Sequence, residues 1–134
     1  MGFKVTVGDV ELEETVVESV EFSVLSPENV DAKGAITCAS LKITGKILNT
    51  SGENTFNLAK WAADDIHNGY EYKNVVAKYI HDATVLREYT LPNAFAVDYS
   101  EEYGDTNGTG RFTLVVNQKM QYLKDTQVNG GYGA

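Results

Sequence analysis

The chain has 134 residues, 43% of them hydrophobic, and its 19 acidic against 11 basic side chains give a formal charge of −8. That length fits one domain with its own core, and the acidic excess excludes a nucleic-acid binder, which needs a basic stripe to displace counterions from phosphate. A lone cysteine, Cys38, forbids an internal disulfide and points to a reducing compartment. The first residues lack the apolar core of a signal peptide and no run approaches a membrane span, so cytoplasmic synthesis is expected, with any release by another route.

Short β-patterned runs open the chain, FKVTV at 3–7 and VELEE at 10–14. From Thr15 to Leu25 the even positions Val16, Val20, Phe22 and Val24 are apolar, with Glu18 the exception. The odd positions Ser19, Glu21 and Ser23 are polar, which is the period-two signature of a half-buried strand. A connection, SPENVDAKG from Ser26 to Gly34, separates it from a second strand at 36–48. There Ala39, Leu41, Ile43 and Ile47 face one way and Ser40, Lys42, Thr44 and Lys46 the other. Two strands this long overhang a small domain, so Ser26, Pro27, Glu28, Asn29, Val30, Asp31 and Lys33 are expected to form a projecting assembly arm. Val30 is its one sizeable apolar group.

Helical spacing occurs once, in TFNLAKWAADDIHNG. Asn54 or Thr55 suits the N-cap and Gly69 the C-cap, and Leu58, Trp61, Ala62 and Ile66 fall on one face, with Trp61 the expected anchor into a sheet. Four further strands are expected in YKNVVAKYI, TVLREYTL, NAFAVDYS and FTLVVNQKMQYL. Between the last two, EEYGDTNGTG reads as an exposed loop whose Glu101, Glu102, Tyr103, Asp105 and Asn107 would make contacts. The prediction is a mostly β fold, a barrel or two packed antiparallel sheets with one short helix at the side. Residues 1–124 would form the domain and 125–134 a flexible, Gly-rich tail.

Chemistry is sparse along this pattern. Cys38 with His67 or His81 as base is a candidate nucleophile, and a cysteine or serine hydrolase the third reading, but Cys38 alternates within a strand and reads as structural. His67 suits a helix end and His81–Asp82 a turn, and two histidines without close spacing make a poor zinc site. Glu101 and Glu102 are adjacent on a strand and point to opposite faces, so they cannot converge on one bond. GDTNGTG lacks the helix and the Lys-Ser/Thr of a phosphate loop and the acidic closing ligand of a calcium loop. No enzymatic activity, cofactor or metal is expected.

The order of elements, with LAKWA on the helix, VVAKYI followed by LREYTLPNAFAVDYSEEY, and GRFTLVVNQKMQY as a closing strand, resembles the tube-forming proteins of contractile injection machines. These are the haemolysin-coregulated protein of type VI secretion and the tail tube proteins of contractile phages and phage-like particles. The resemblance covers about residues 3 to 124 and lies in layout, without a catalytic-type motif. It implies a structural subunit whose copies close into rings of six, and rings that stack into an inner tube. Sheath, baseplate or spike proteins of the same machine would be its other partners. Ser19, Glu21, Ser23, Ser40, Lys42, Thr44 and Lys46 would then line a wetted channel. The alternative is a monomeric β-barrel or sandwich that binds a small molecule or glycan through exposed tyrosines, of which the chain has 8 in all.

Overall fold

The computed structural model describes residues 2–25, 38–47, 55–68, 72–104, 110–118 and 127–130. Its elements run β1 (Gly2–Val7), β2 (Val10–Leu12), β3 (Val17–Leu25), β4 (Cys38–Ile47), α1 (Thr55–Asn68), β5 (Lys73–His81), β6 (Thr84–Tyr103), β7 (Gly110–Gln118) and β8 (Gln127–Asn129). The fold is mostly β with one short helix, as the alternation requires. All strand pairs are antiparallel, in the order β2-β1-β5-β6-β7-β4-β3, with β8 paired to β6 off this path. Among the described residues the sheet does not close into a barrel. Two packed layers sharing one strand describe it better.

The shared strand is β6. It is 20 residues long, or about 66 Å if fully extended, far beyond the span of a small domain. It therefore bends, and it changes partner as it does so. Residues up to Leu91 pair with β5, Ala94 pairs with both Lys73 of β5 and Gln118 of β7, and Phe95 to Tyr103 pair with β7 alone. Asn93 takes a positive φ of 58°, a conformation Asn tolerates better than most residues. Two hydrogen bonds hold the corner: Gln118 Nε2 donates to Pro92 O at 3.0 Å, and Asn93 N–H donates to Asn74 Oδ1 at 3.2 Å. Gln118 is only 1% exposed, so its amide is a buried polar group kept in place by the carbonyl it satisfies. Bulges at Lys73/Val75 and Ala96/Asp98 flank the corner and supply the extra twist.

The sequence expectation of separate strands at TVLREYTL and NAFAVDYS is thus corrected. Pro92-Asn93 looks like a turn, but the missing N–H of Pro92 and the left-handed Asn93 are absorbed by a bulged corner within one strand. Another bulge, between Val17 and Ser19, shifts the alternation expected at the start of β3. It puts Val17 in the core at 5% exposure, with Val16, Val20 and Phe22 partly buried against it, so the successive residues Val16 and Val17 both reach the core. Residues 127–129, within the segment read as a loose tail, form β8. One apolar side chain, Val128, is too weak a sequence signal; the strand is held by backbone pairing of 127–129 with 88–90. Gly130 follows at φ 125°, with its Cα so close to Leu86 O that a Cβ would lie 2.3 Å from that oxygen.

Between the layers lie Val5, Val7, Leu12, Leu41, Ile43, Val75, Leu91, Phe112, Leu114 and Val116, all at or below 1% exposure. Helix α1 covers one side, packed on β6 and β2. Leu58 and Ala62 are fully buried and Trp61 is 6% exposed, whereas Phe56 in the first turn is 70% exposed. Trp61→Ala should therefore lower stability by roughly 3 to 5 kcal/mol, while Phe56→Ala should change it by less than about 0.5 kcal/mol. Denaturant unfolding of the two variants against the parent checks both values.

Candidate assembly surface

One face of the fold carries the polar residues that β3 and β4 present away from the core. The register sets Ser19 opposite Thr44, Glu21 opposite Lys42 and Ser23 opposite Ser40. It continues across two more strands. Thr44 pairs with Thr113 and then Ser100, Lys42 with Val115 and then Asp98, Ser40 with Asn117 and then Phe95, and Lys46 with Arg111 and then Glu102. The seven polar positions singled out in the sequence thus share a four-stranded wall, β3-β4-β7-β6, but Ser40, expected to be wetted, is buried at 6% exposure beside Asn117. Thr113, Asn117, Asp98, Ser100, Glu102 and Arg111 extend it; sequence alternation predicts their parity but not their register. Acids and bases on this wall balance, Glu21, Asp98 and Glu102 against Lys42, Lys46 and Arg111, although the chain as a whole is strongly acidic.

The wall ends in two edges. Among the described residues β3 has no second strand partner beyond β4, and the last part of β6 has no strand partner but β7 once β5 has left it at Ala94. The described ladder ends at these two strands.

Beyond Ser100, β6 and β7 continue as a hairpin, pairing Glu101 with Phe112, Glu102 with Arg111 and Tyr103 with Gly110. Glu101, Glu102 and Tyr103 are therefore strand residues and not loop residues; Asp105 and Asn107 lie outside the described residues. The strand survives the polar sequence because its side chains satisfy each other. Tyr99 and Tyr103 sit two residues either side of Glu101 on the same face, and both hydroxyls donate to its carboxylate, at 2.7 Å to Oε1 and 2.8 Å to Oε2. Gly110 leaves room for the Tyr103 ring, which a Cβ would approach to 2.5 Å. Tyr99 in turn stacks on Phe112 at 6.3 Å, which ties the clamp to the core. Glu102 faces the other way, so the two carboxylates do not converge.

The remaining candidates assemble no chemistry. His81 Nε2 lies 3.3 Å from Asp82 Oδ2 in the β5–β6 turn, where Asp82 and Ala83 both take positive φ. Cys38 opens β4 and His67 lies in α1, with their side chains outside the described residues. Among the described residues no three His, Cys, Asp or Glu converge as a metal site would require. The arm, Ser26 to Lys33, lies wholly outside the described residues. The tyrosines exposed among the described residues, Tyr72 and Tyr103, do not form one platform. Tyr72 packs edge-on to Phe95 at 6.0 Å, and Tyr103 lies eight residues further along β6, about 26 Å away. No described helix is long and apolar enough to cross a membrane.

No protein-family model matches the chain, and no curated protein does. Solved structures do. Hcp1 from Flavobacterium johnsoniae is 16% identical and matches 98% of this chain and 97% of its own with a TM-score of 0.64. A chain of the sheath/tube terminator of the extracellular contractile injection system PVC, in the extended state, is 15% identical, over 96% and 94%, with a TM-score of 0.55. A chain of the anti-feeding prophage baseplate, determined with sixfold symmetry imposed, is 13% identical, over 97% and 92%, with a TM-score of 0.54. The protein shares the fold of Hcp1 and of these injection-system components along nearly its whole length, and the suspected resemblance is borne out at the level of fold.

The clamp on Glu101 gives the hairpin a testable hierarchy. Tyr99→Ala should raise amide hydrogen exchange at 101–103 and 110–112 more than Tyr103→Ala does, because the Tyr99 ring also anchors the clamp to Phe112. Exchange measured by NMR on both variants checks the order.

Proposed function

We propose that the protein is a non-enzymatic structural subunit whose copies join edge to edge into rings that stack into the inner tube of a contractile injection machine. The observation that carries this reading is the largely polar four-stranded wall, at both sides of which the described ladder ends, at β3 and at the second half of β6. A face that is polar on four adjacent strands suits contact with water, and a ladder that ends on both sides suits head-to-tail pairing, which closes into a ring when the rotation per copy is right. Four strands span about 19 Å, so six copies give a circumference of about 115 Å and a channel roomy enough for a polypeptide, before strand tilt widens it. The sixfold symmetry of the anti-feeding prophage baseplate, a chain of which shares this fold, supports the number six. The shared folds also support sheath, terminator or baseplate proteins as the other partners, and service within a particle that leaves the cytoplasm.

On this reading Ser19, Glu21, Ser23, Lys42, Thr44 and Lys46 line the channel, while Ser40 lies buried within its wall. Its charges balance in opposed pairs such as Glu21 and Lys42, so cargo of either sign would be held weakly. The arm from Ser26 to Lys33 reaches an adjacent copy or the next ring, with Val30 supplying the apolar contact and Glu28, Asp31 and Lys33 setting register at little net energy. Asp105 and Asn107 complete the contacts of the β6–β7 hairpin tip. Residues 1–124 act as one domain, to which β8 adds a strand from the tail. The alternative of a monomer that binds a glycan on tyrosines loses support because Tyr72 and Tyr103 stand far apart.

Size-exclusion chromatography with light scattering, followed by negative-stain microscopy, tests the reading: particles of about six subunits in mass, ring-shaped in projection, are expected, and a monomer at all concentrations and salts contradicts it. Replacing Glu28 to Lys33 by Gly-Gly should leave the melting temperature almost unchanged, because closure entropy varies slowly with loop length, yet abolish stacking of rings into tubes.

A further inference from the structure

Among the described residues Glu101 and Arg87 are exposed ions of opposite sign, and neither has a counter-ion within ion-pair distance. Glu101 lies on the second half of β6, where the described ladder of the wall ends on one side. Its register partner is Phe112 and that of Tyr99 is Leu114, both buried, so Tyr99, Glu101 and Tyr103 share the core-facing side of β6, where the hairpin runs on past the core. The two phenols donate to Oε1 at 2.7 Å and Oε2 at 2.8 Å, which orients the carboxylate before anything binds it. Each oxygen keeps capacity for a second hydrogen bond, and the rings on either side offer faces to a cation. A carboxylate framed in this way fits a guanidinium, which engages both oxygens at once.

The chain carries such a group behind the strand at which the ladder ends on the other side. There β3 faces β1, β5 and β6 across a cavity of about 460 Å³. Val17 and Val20 line it from β3, and Phe3, Tyr79 and Arg87, one row across β1, β5 and β6, line it from the opposite layer. The guanidinium of Arg87 makes its one hydrogen bond to Leu86 O, at 3.1 Å. Glu14 and Glu18 line the same cavity without pairing with it, and Glu18 is balanced by Arg111 at 3.4 Å. Strand direction and level then bring the two groups together between copies. Because β3, β4, β7 and β6 alternate in direction, β6 of one copy beside β3 of the next continues the antiparallel ladder. Glu101 stands on one cross-strand row with Phe112, Gly45 and Val17. Continued into the next copy, that row sets Glu101 beside Val17, a wall of the cavity that holds Arg87, and layers about 10 Å apart leave a gap that the two side chains close from opposite sides. We infer that in the proposed ring, on which this inference rests, the Tyr99–Glu101–Tyr103 clamp of each copy receives Arg87 of the next as a two-pronged ion pair flanked by phenol rings. The pair lies behind the wall, away from the channel, so it fastens neighbours without altering the lining.

The test is the concentration at which rings of the full chain dissociate, followed by light scattering and native mass spectrometry. Glu101→Gln, which leaves the tyrosines an acceptor, and Arg87→Gln should each raise it by about tenfold or more, and the double variant no further. Glu14→Gln should leave it unchanged. Arg87→Lys, which keeps the charge but not the planar fork, should fall between the parent and Arg87→Gln. Exchanging the charges, with Arg87→Glu and Glu101→Arg in one chain, should return it to within about threefold of the parent. Both residues are exposed, so melting curves of the monomers should coincide, which separates loss of the contact from loss of the fold. Single variants whose rings are as stable as the parent's, additive effects in the double variant, or no recovery on exchange would overturn the pairing and leave the ring standing. A parent that stays monomeric would overturn both.

Discussion

Most of this architecture depends on β6 changing partner at Ala94. A strand that paired with β5 along its whole length would make one flat, over-long sheet with an apolar face in water. Bending at Pro92–Asn93 folds the second half over the first and lets both apolar faces meet. The bend is costly for a backbone, since Pro92 offers no N–H and Asn93 sits at positive φ. The buried amide of Gln118 and the side chain of Asn74 satisfy the groups that the corner frees. The same event shapes the candidate surface. Because β5 leaves at the corner, the rest of β6 has β7 as its one strand partner among the described residues, and the described ladder of the four-stranded wall ends on both sides.

How far this was legible in the sequence varies by element. Alternation at 15–25 and 36–48 was enough to sort Ser19, Glu21, Ser23, Ser40, Lys42, Thr44 and Lys46 from the apolar residues, because period two needs only a list of neighbours. The helix was legible from Leu58, Trp61 and Ala62. What alternation cannot supply is register and long-range compensation. Pro92-Asn93 carries the signature of a turn, and only Gln118, 26 positions away from Pro92, makes it a corner within a strand. EEY before a Gly-rich stretch looks like loop, and the two tyrosines that neutralise the demands of Glu101 are recognisable only once the strand exists. β8 rests on three backbone pairs and a glycine, which leave almost no compositional trace.

The candidate site follows the same division. Its residue types were visible: small hydroxyls, with acids and bases in alternation and no convergent catalytic group. Its extent was not, since Asp98, Ser100, Glu102, Arg111, Thr113 and Asn117 join the wall only through the β4–β7 and β7–β6 registers. The likeness of the whole chain to Hcp1, at 16% identity, shows that this layout tolerates wide changes in side chains.

The central claim is that the polar wall is completed by other copies at the two strands where its described ladder ends. Hydrogen–deuterium exchange of assembled particles against the monomer, resolved to single amides, addresses it most directly. The account predicts new protection concentrated in 17–25 and 95–103, on amides that point away from β4 and β7, with little change in β1 and β5. Assembled particles whose amides in those two segments exchange at the monomer's rate would contradict it.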